Sequence, residues 1–279
     1  DAEYCELLVQ QFRDSKDFQT QYFSILAIGQ IGGKEARSIL LREFDKAKSA
    51  ASKPWCALAL GVYSFYDYEQ QRKASDTIEY QTTIGETLFD EFRKTRQPNL
   101  LAALAIAMGL NQHTEAADAM RAMMLEKVAQ EELAGYLCIG LALMDDSGSI
   151  EDIRQVVSDS GRRHDLLKQA AIALGKLGDK RVADDLQAML KQCDNNLAKL
   201  SAISSALGFI GDQRSLEPLK QMLLDTKLGQ LSRAFAAVAL GGVADKEMLP
   251  WNSKIAVNTN YRASVETLTN KSSGILDIL

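Results

Sequence analysis

The chain has 279 residues, 46% of them hydrophobic, and a formal net charge of −5. That supplies a core of ordinary size, and the mild acidity weighs against the basic footprint of a nucleic-acid-binding surface. No apolar run approaches the roughly 18 residues of a membrane helix, no signal peptide is visible, and low Gly and Pro counts, 18 and 4, leave little room for a loop-rich all-β fold.

Taken in chain order, apolar helical runs recur, each carrying a glycine: Gly29, Gly61, Gly109, Gly140, Gly175, Gly208 and Gly241. The spacings are 32, 48, 31, 35, 33 and 33. Two residues before each stands Ala27, Ala59, Ala107, Cys138, Ala173, Ala206 or Ala239, and one before it a large apolar residue. Small residues at one register predict close helix–helix approach, and each glycine is expected to end its run. The GQIGG stretch at 29–33 is expected to be a hairpin turn.

A second helix follows each run. After Gly109 come Met120, Met123 and Met124; after Gly175 come Leu186, Met189 and Leu190; after Gly208 come Leu219, Met222 and Leu223. Steps of three and four mark one buried helix face. The joints read LGKLGDKR at 174–181 and LGFIGDQR at 207–214. Gly178 and Gly211 can take positive φ there, and Asp179, Asp212 and Asp245 can cap the next helix. His113 stands at the matching position and is expected to be a polar turn residue. A two-helix unit cannot bury both faces alone, so stacking into a solenoid follows.

The segments LLKQAAIALGKLGDKRVADDLQAML and LSAISSALGFIGDQRSLEPLKQMLL resemble HEAT-like repeats of the phycobilisome-lyase type. The resemblance covers roughly residues 15–249. It implies an all-α fold: an α-solenoid, a right-handed superhelix, of about seven two-helix repeats over residues 1–249.

Two stretches break the pattern. The long spacing between Gly61 and Gly109 places an insertion at about 65–86, rich in aromatics: Tyr63, Phe65, Tyr66, Tyr68 and Tyr80. Insertions in repeat arrays usually emerge on one face, often the binding face, so these five are the candidate partner-binding residues. The alternative is that they pack the insertion onto its own repeat or lengthen its helices. The second break is 250–279, largely non-helical in pattern. It is expected to run extended and to cap the last repeat through Trp251 and its neighbours.

No catalytic, cofactor or metal site is legible. His113 and His164 are the two histidines, and neither is followed by Glu. GxGxxG, GxSxG and GxxxxGK[ST] are absent. Cys56 and Cys138 sit within apolar helical runs and are expected to be buried free thiols, which fits a reducing cytoplasm. The chain begins at Asp1, from which a processed or cut N-terminus is expected, and export is the alternative location. The expected function is a scaffold or adaptor that binds a protein partner, with no cofactor, nucleic acid or membrane insertion and no activity of its own. Two alternatives stand beside it. The resemblance implies a bilin-lyase-like, chromophore-handling protein; a nucleic-acid-binding solenoid would need a basic stripe.

Overall fold

The computed structural model describes residues 2–75, 77–192 and 196–244, and the backbone at 269–270 and 273–274. Fourteen α-helices stand among the described residues: α1 (Ala2–Asp14), α2 (Phe18–Ile31), α3 (Gly33–Lys46), α4 (Lys53–Ala74), α5 (Thr82–Lys94), α6 (Pro98–Asn111), α7 (Ala117–Glu126), α8 (Glu131–Leu143), α9 (Ile150–Asp159), α10 (His164–Lys176), α11 (Arg181–Lys191), α12 (Leu197–Ile210), α13 (Leu216–Leu224) and α14 (Gln230–Ala244). The fold is an all-α solenoid of helical hairpins. Second helices lie against the first helix that follows them, α3 on α4, α5 on α6, α9 on α10, α11 on α12 and α13 on α14, and α1 packs on α2.

The chain divides into two compact units, Asp1–Met120 with Leu143–Asp145, and Arg121–Ala142 with the residues from Asp146 onward. In the first, α4 lies between α2 and α6, with α3 and α5 against these first helices. In the second, α12 lies between α10 and α14, and α11 and α13 flank them. First helices are apolar all round because they are covered on several sides; α6 is buried without a break from Leu100 to Asn111. Second helices bury one stripe, as α11 does with Val182, Leu186 and Leu190. Of the recurrent methionines, Met120, Met124 and Met222 are buried, while Met123 and Met189 are half-buried.

The turns between paired helices set the period. Gln112, Asp145, Gly178 and Gly211 all have positive φ and recur every 33 residues. The next residue in each case is His113, Asp146, Asp179 or Asp212. The expected caps form in modified places: Asp212 caps the short 3-10 turn Gln213–Ser215 that leads into α13, its Oδ1 accepting the Arg214 N–H at 2.9 Å, and Asp179, one residue ahead of the Lys180 N-cap of α11, accepts the Arg181 N–H on Oδ1 at 3.0 Å. Asp245 lies outside the described residues. An ion ladder overlies these turns. Arg121 on α7 reaches Asp146 at 3.6 Å, and Arg154 on α9, one period later, donates to Asp179 Oδ2 at 3.0 Å. Burial pushes the Asp179 carboxyl up, but hydrogen bonds from Arg181 and Arg154 outweigh it and hold the group below its ordinary value.

This comb corrects the glycine reading in two respects. The glycines do not end their helices; Gly29, Gly61, Gly175 and Gly208 lie inside α2, α4, α10 and α12. They are small because the next first helix crosses there. A Cβ on Gly61 would stand 2.6 Å from Ala107 Cα, one on Gly29 2.6 Å from Ala59 O, and one on Gly208 3.2 Å from Gly242 Cα. A Cβ on Gly241 would meet nothing within 4 Å. The spacings of 31 and 35 are also resolved: they are two periods of 33, with Ala142 rather than Gly140 in register.

Cys5, Cys56 and Cys138 are free and buried. Burial pushes the Cys56 thiol up to about 12 and raises Cys138 likewise. Cys193 lies outside the described residues, as does the proposed cap at Trp251, Ile255 and Val257. The described backbone of that tail forms a two-residue antiparallel ladder, Thr269 and Asn270 against Ser273 and Gly274.

Candidate functional site

The extra length between Gly61 and Gly109 goes mainly into α4. Its 22 residues carry it to Ala74, and a short segment then returns to Thr82. Leu60, Ser64 and Tyr68 are four residues apart and share one stripe of α4. The stripe faces the end of α6, where Asn111 is buried. Ser64 Oγ accepts from Asn111 Nδ2 at 2.8 Å. Tyr68 donates its hydroxyl to the Asn111 carbonyl at 3.1 Å and accepts the Gln81 N–H at 2.7 Å. Asn111 Nδ2 also reaches Gln81 O at 3.2 Å.

The returning segment is tied at further points. The Glu79 N–H donates to Gln71 Oε1 at 2.6 Å. Gln81 Nε2 donates to Asp67 Oδ2 at 2.9 Å, and Gln81 Oε1 accepts from Arg37 Nε at 3.0 Å. Buried polar groups need such partners, and here each serves to hold the segment against α4 and α6.

The five candidate aromatics therefore separate. Tyr63 and Tyr68 are 3% and 2% exposed, which corrects their assignment to a binding surface: they pack the insertion onto its own repeat. Burial pushes the Tyr68 hydroxyl up to about 12. Phe65 and Tyr66 are half-buried and meet edge to face at 5.6 Å. Tyr80 alone of the five is exposed, at 50%. Its ring stands edge-on to Tyr68 at 5.3 Å, so an open aromatic is held by a buried one.

Beside Tyr80 lies a cavity of about 300 Å³ lined by Tyr80, Thr82, Asn111, Gln112, His113, Thr114 and Glu115. His113 departs from the repeat pattern. Every other described turn of the comb has Asp here, and the register that supplies Arg121 and Arg154 supplies Leu88 one period earlier. His113 is a turn residue, as expected, but it is only 9% exposed. Its ring packs 5.7 Å from Phe89, and its Nε2 is buried with no hydrogen-bond partner among the described residues. Gly85 makes room for it: a Cβ there would strike His113 Nδ1 and lie 2.6 Å from Asn111 Oδ1. Burial lowers the imidazole pKa, against the opposing pull of Glu115 and Glu86.

That direction gives a pH prediction. The folded pKa lies below the unfolded value of about 6.5, so the neutral ring favours the fold above pH 6.5. Stability should fall as pH drops through the folded pKa, by at most about 1.4 kcal/mol per pH unit. Urea midpoints between pH 7.5 and 5 should decline in the wild type and decline less in His113→Gln. Parallel curves would show that His113 does not titrate with folding.

Among the described residues, no cluster of His, Cys, Asp and Glu could hold a metal ion, and no helix is long and apolar enough to cross a membrane. A second cavity, about 450 Å³, lies along α1 and α2 and is lined by Leu8, Asp17, Gln19, Thr20, Phe23, Ser24 and Ala27.

Residues 124–206 match the family model for HEAT repeats, a stretch running from α7 into α12. No curated protein matches the chain. The His113 cavity and the α4 insertion lie outside the matched residues. The chain is thus similar to HEAT repeats where its comb is regular, and the site stands where the comb is broken.

Proposed function

We propose that this protein is a binding scaffold without catalytic activity of its own, and that it takes a protein partner at the edge formed by Tyr80 and the α6–α7 turn. One observation carries the reading: Tyr80 is an exposed aromatic held in place over a polar cavity. Interfaces draw most of their energy from a few such anchors, Tyr prominent among them, and a ring fixed in advance loses little entropy on binding. HEAT-type repeats suit the role because stacked hairpins display an extended surface. The net charge of −5 supports a protein partner over nucleic acid. The buried free thiols of Cys5, Cys56 and Cys138 support a reducing, cytoplasmic setting.

The test is paired capture. The immobilised full chain and its Tyr80→Ala variant are exposed to the same source extract, with unchanged helical signal and Tm as the folding control. A partner retained by the wild type should be depleted about tenfold or more by Tyr80→Ala, the loss of a modest hot spot. A partner held equally by both would move the interface away from this edge. The bilin-handling alternative predicts a shifted visible absorption on mixing with free bilin, and the present reading expects none.

A further inference from the structure

The crossing between successive first helices has two sides. One side is the glycine: a Cβ on Gly29, Gly61, Gly175 or Gly208 would stand within 3.2 Å of an atom of a neighbouring helix. In the first unit the other side is the alanine two residues before the next glycine, since Gly29 meets Ala59 and Gly61 meets Ala107. Alanines of this register, Ala59, Ala107, Ala173, Ala206 and Ala239, are all 0% exposed.

At α2 the receiving side stands open. Ala27 holds the same register, yet it is only half-buried. With Leu8 and Phe23 it lines the groove of about 450 Å³ along α1 and α2. Phe23, one turn before Ala27, is 38% exposed, while Trp55 and Ala103 at the matching places in α4 and α6 are buried. At α14 the presenting side stands open. Gly241 holds the crossing register, and a Cβ there would meet nothing within 4 Å among the described residues. Val238, one turn before it, is 57% exposed, whereas Leu26, Leu58, Ile106 and Ile172 at the matching places are buried. Leu231, also exposed, continues the same stripe of α14.

We propose that α14 of one copy docks in the α1–α2 groove of a second copy, with Gly241 and Val238 set against Ala27 and Phe23, so that the stack of first helices continues from chain to chain. Each end presents what the other lacks. The groove calls for a helix with a glycine where it crosses Ala27, and α14 carries one. Two grooves face to face would set Phe23 against Phe23 with no glycine at the crossing. Charge has the same sense. Residues 2–24 carry Glu3, Glu6, Asp14 and Asp17 against Arg13 and Lys16, while residues 225–244 carry Lys227 and Arg233 against Asp225. Opposite signs favour groove on α14 and disfavour groove on groove. Terminal repeats need a polar outer face to stay apart, and these two ends show apolar stripes instead. The contact is heterologous, so one copy can be joined at both ends. It does not depend on the Tyr80 edge. The competing occupant of the α14 face is the chain's own segment beyond residue 244, and the experiment decides between them.

Sedimentation velocity on the full chain from about 1 to about 300 µM reads the association. The expected result is a mass that rises above that of one chain with concentration. Phe23→Lys blocks the groove and Val238→Lys blocks α14, with unchanged helical signal and Tm as the folding control. Gln19→Trp, at an exposed position lining the groove, is the second groove variant should Phe23→Lys not fold. Each substitution should weaken self-association at least about tenfold. A groove variant still has its α14 free, and Val238→Lys still has its groove free. An equimolar mixture of the two should therefore form a two-chain species that neither forms alone. A full chain that keeps the mass of one chain throughout overturns the proposal and returns the α14 face to the chain's own C-terminal segment or to another protein. Association that survives either substitution, or a mixture no heavier than its components, overturns it as well.

Discussion

Gly61→Ala should destabilise the protein, while the same substitution at Gly241 should stabilise it. Both glycines lie within helices, α4 and α14, where alanine is favoured over glycine by about 0.8–1 kcal/mol. At Gly241 nothing stands within 4 Å of the new methyl group, so the propensity gain should appear nearly whole. At Gly61 the methyl would stand 2.6 Å from Ala107 Cα and 3.0 Å from Ala107 O. Backbone cannot step aside as a side-chain tip can, so α4 and α6 must separate. Overpacking of this kind costs about 1–3 kcal/mol, more than the propensity gain, and Gly61→Val should cost more still. Urea denaturation of the two alanine variants measures the difference. Equal midpoints would mean that the helices do not cross where the glycines stand.

Tyr68 should show the other large effect. Tyr68→Phe removes a hydroxyl that joins α4, the end of α6 and the returning segment, through Asn111 O and the Gln81 N–H. Leaving such groups unpaired costs about 1–3 kcal/mol. Tyr68→Ala adds a cavity and should reach about 3–5 kcal/mol, as large-to-small core changes of aromatics do. Tyr80→Phe is the control: its ring is half exposed and the change should fall within about 0.5 kcal/mol. Aromatic content alone ranks the two tyrosines together; their thermal shifts should separate them. A Tyr68→Phe variant as stable as Tyr80→Phe would show that the hydroxyl network does not hold the insertion.

The repeat was legible because close helix crossing and turn chemistry both leave residue-specific marks: small residues at the crossing, and a positive-φ position followed by Asp at Gly178–Asp179 and Gly211–Asp212. The glycines' role was misread because glycine serves both uses, and sequence alone does not separate a helix stop from a helix crossing. Gly140 misled for a simpler reason, since it lies two residues from the register held by Ala142. The tyrosines of the insertion were mixed together because aromatic content says nothing about facing. The stripe Leu60, Ser64, Tyr68 did carry that signal, at four-residue steps continuing from a buried helix. The peculiarity of His113 was also present in the text of the chain. It is visible once Gln112, Asp145, Gly178 and Gly211 define the period, for then His replaces Asp at one turn and Leu88 replaces the arginine that would pair with it. What no pattern could give is the unpartnered Nε2, which depends on Gly85 and on how the segment before Thr82 returns.

The Tyr80 edge requires the returning segment to be a fixed wall rather than a loose loop, and amide hydrogen exchange at Gln81 tests this most directly. Its N–H is outside any helix yet donates to a buried hydroxyl. Gln81 should exchange slowly in the wild type, together with Glu79, whose N–H is held by Gln71, and Tyr68→Phe should abolish the protection at Gln81 while α6 stays protected. Exchange of Gln81 at the rate of an open chain in the wild type would contradict it, and would remove the wall on which the Tyr80 edge and the His113 cavity depend.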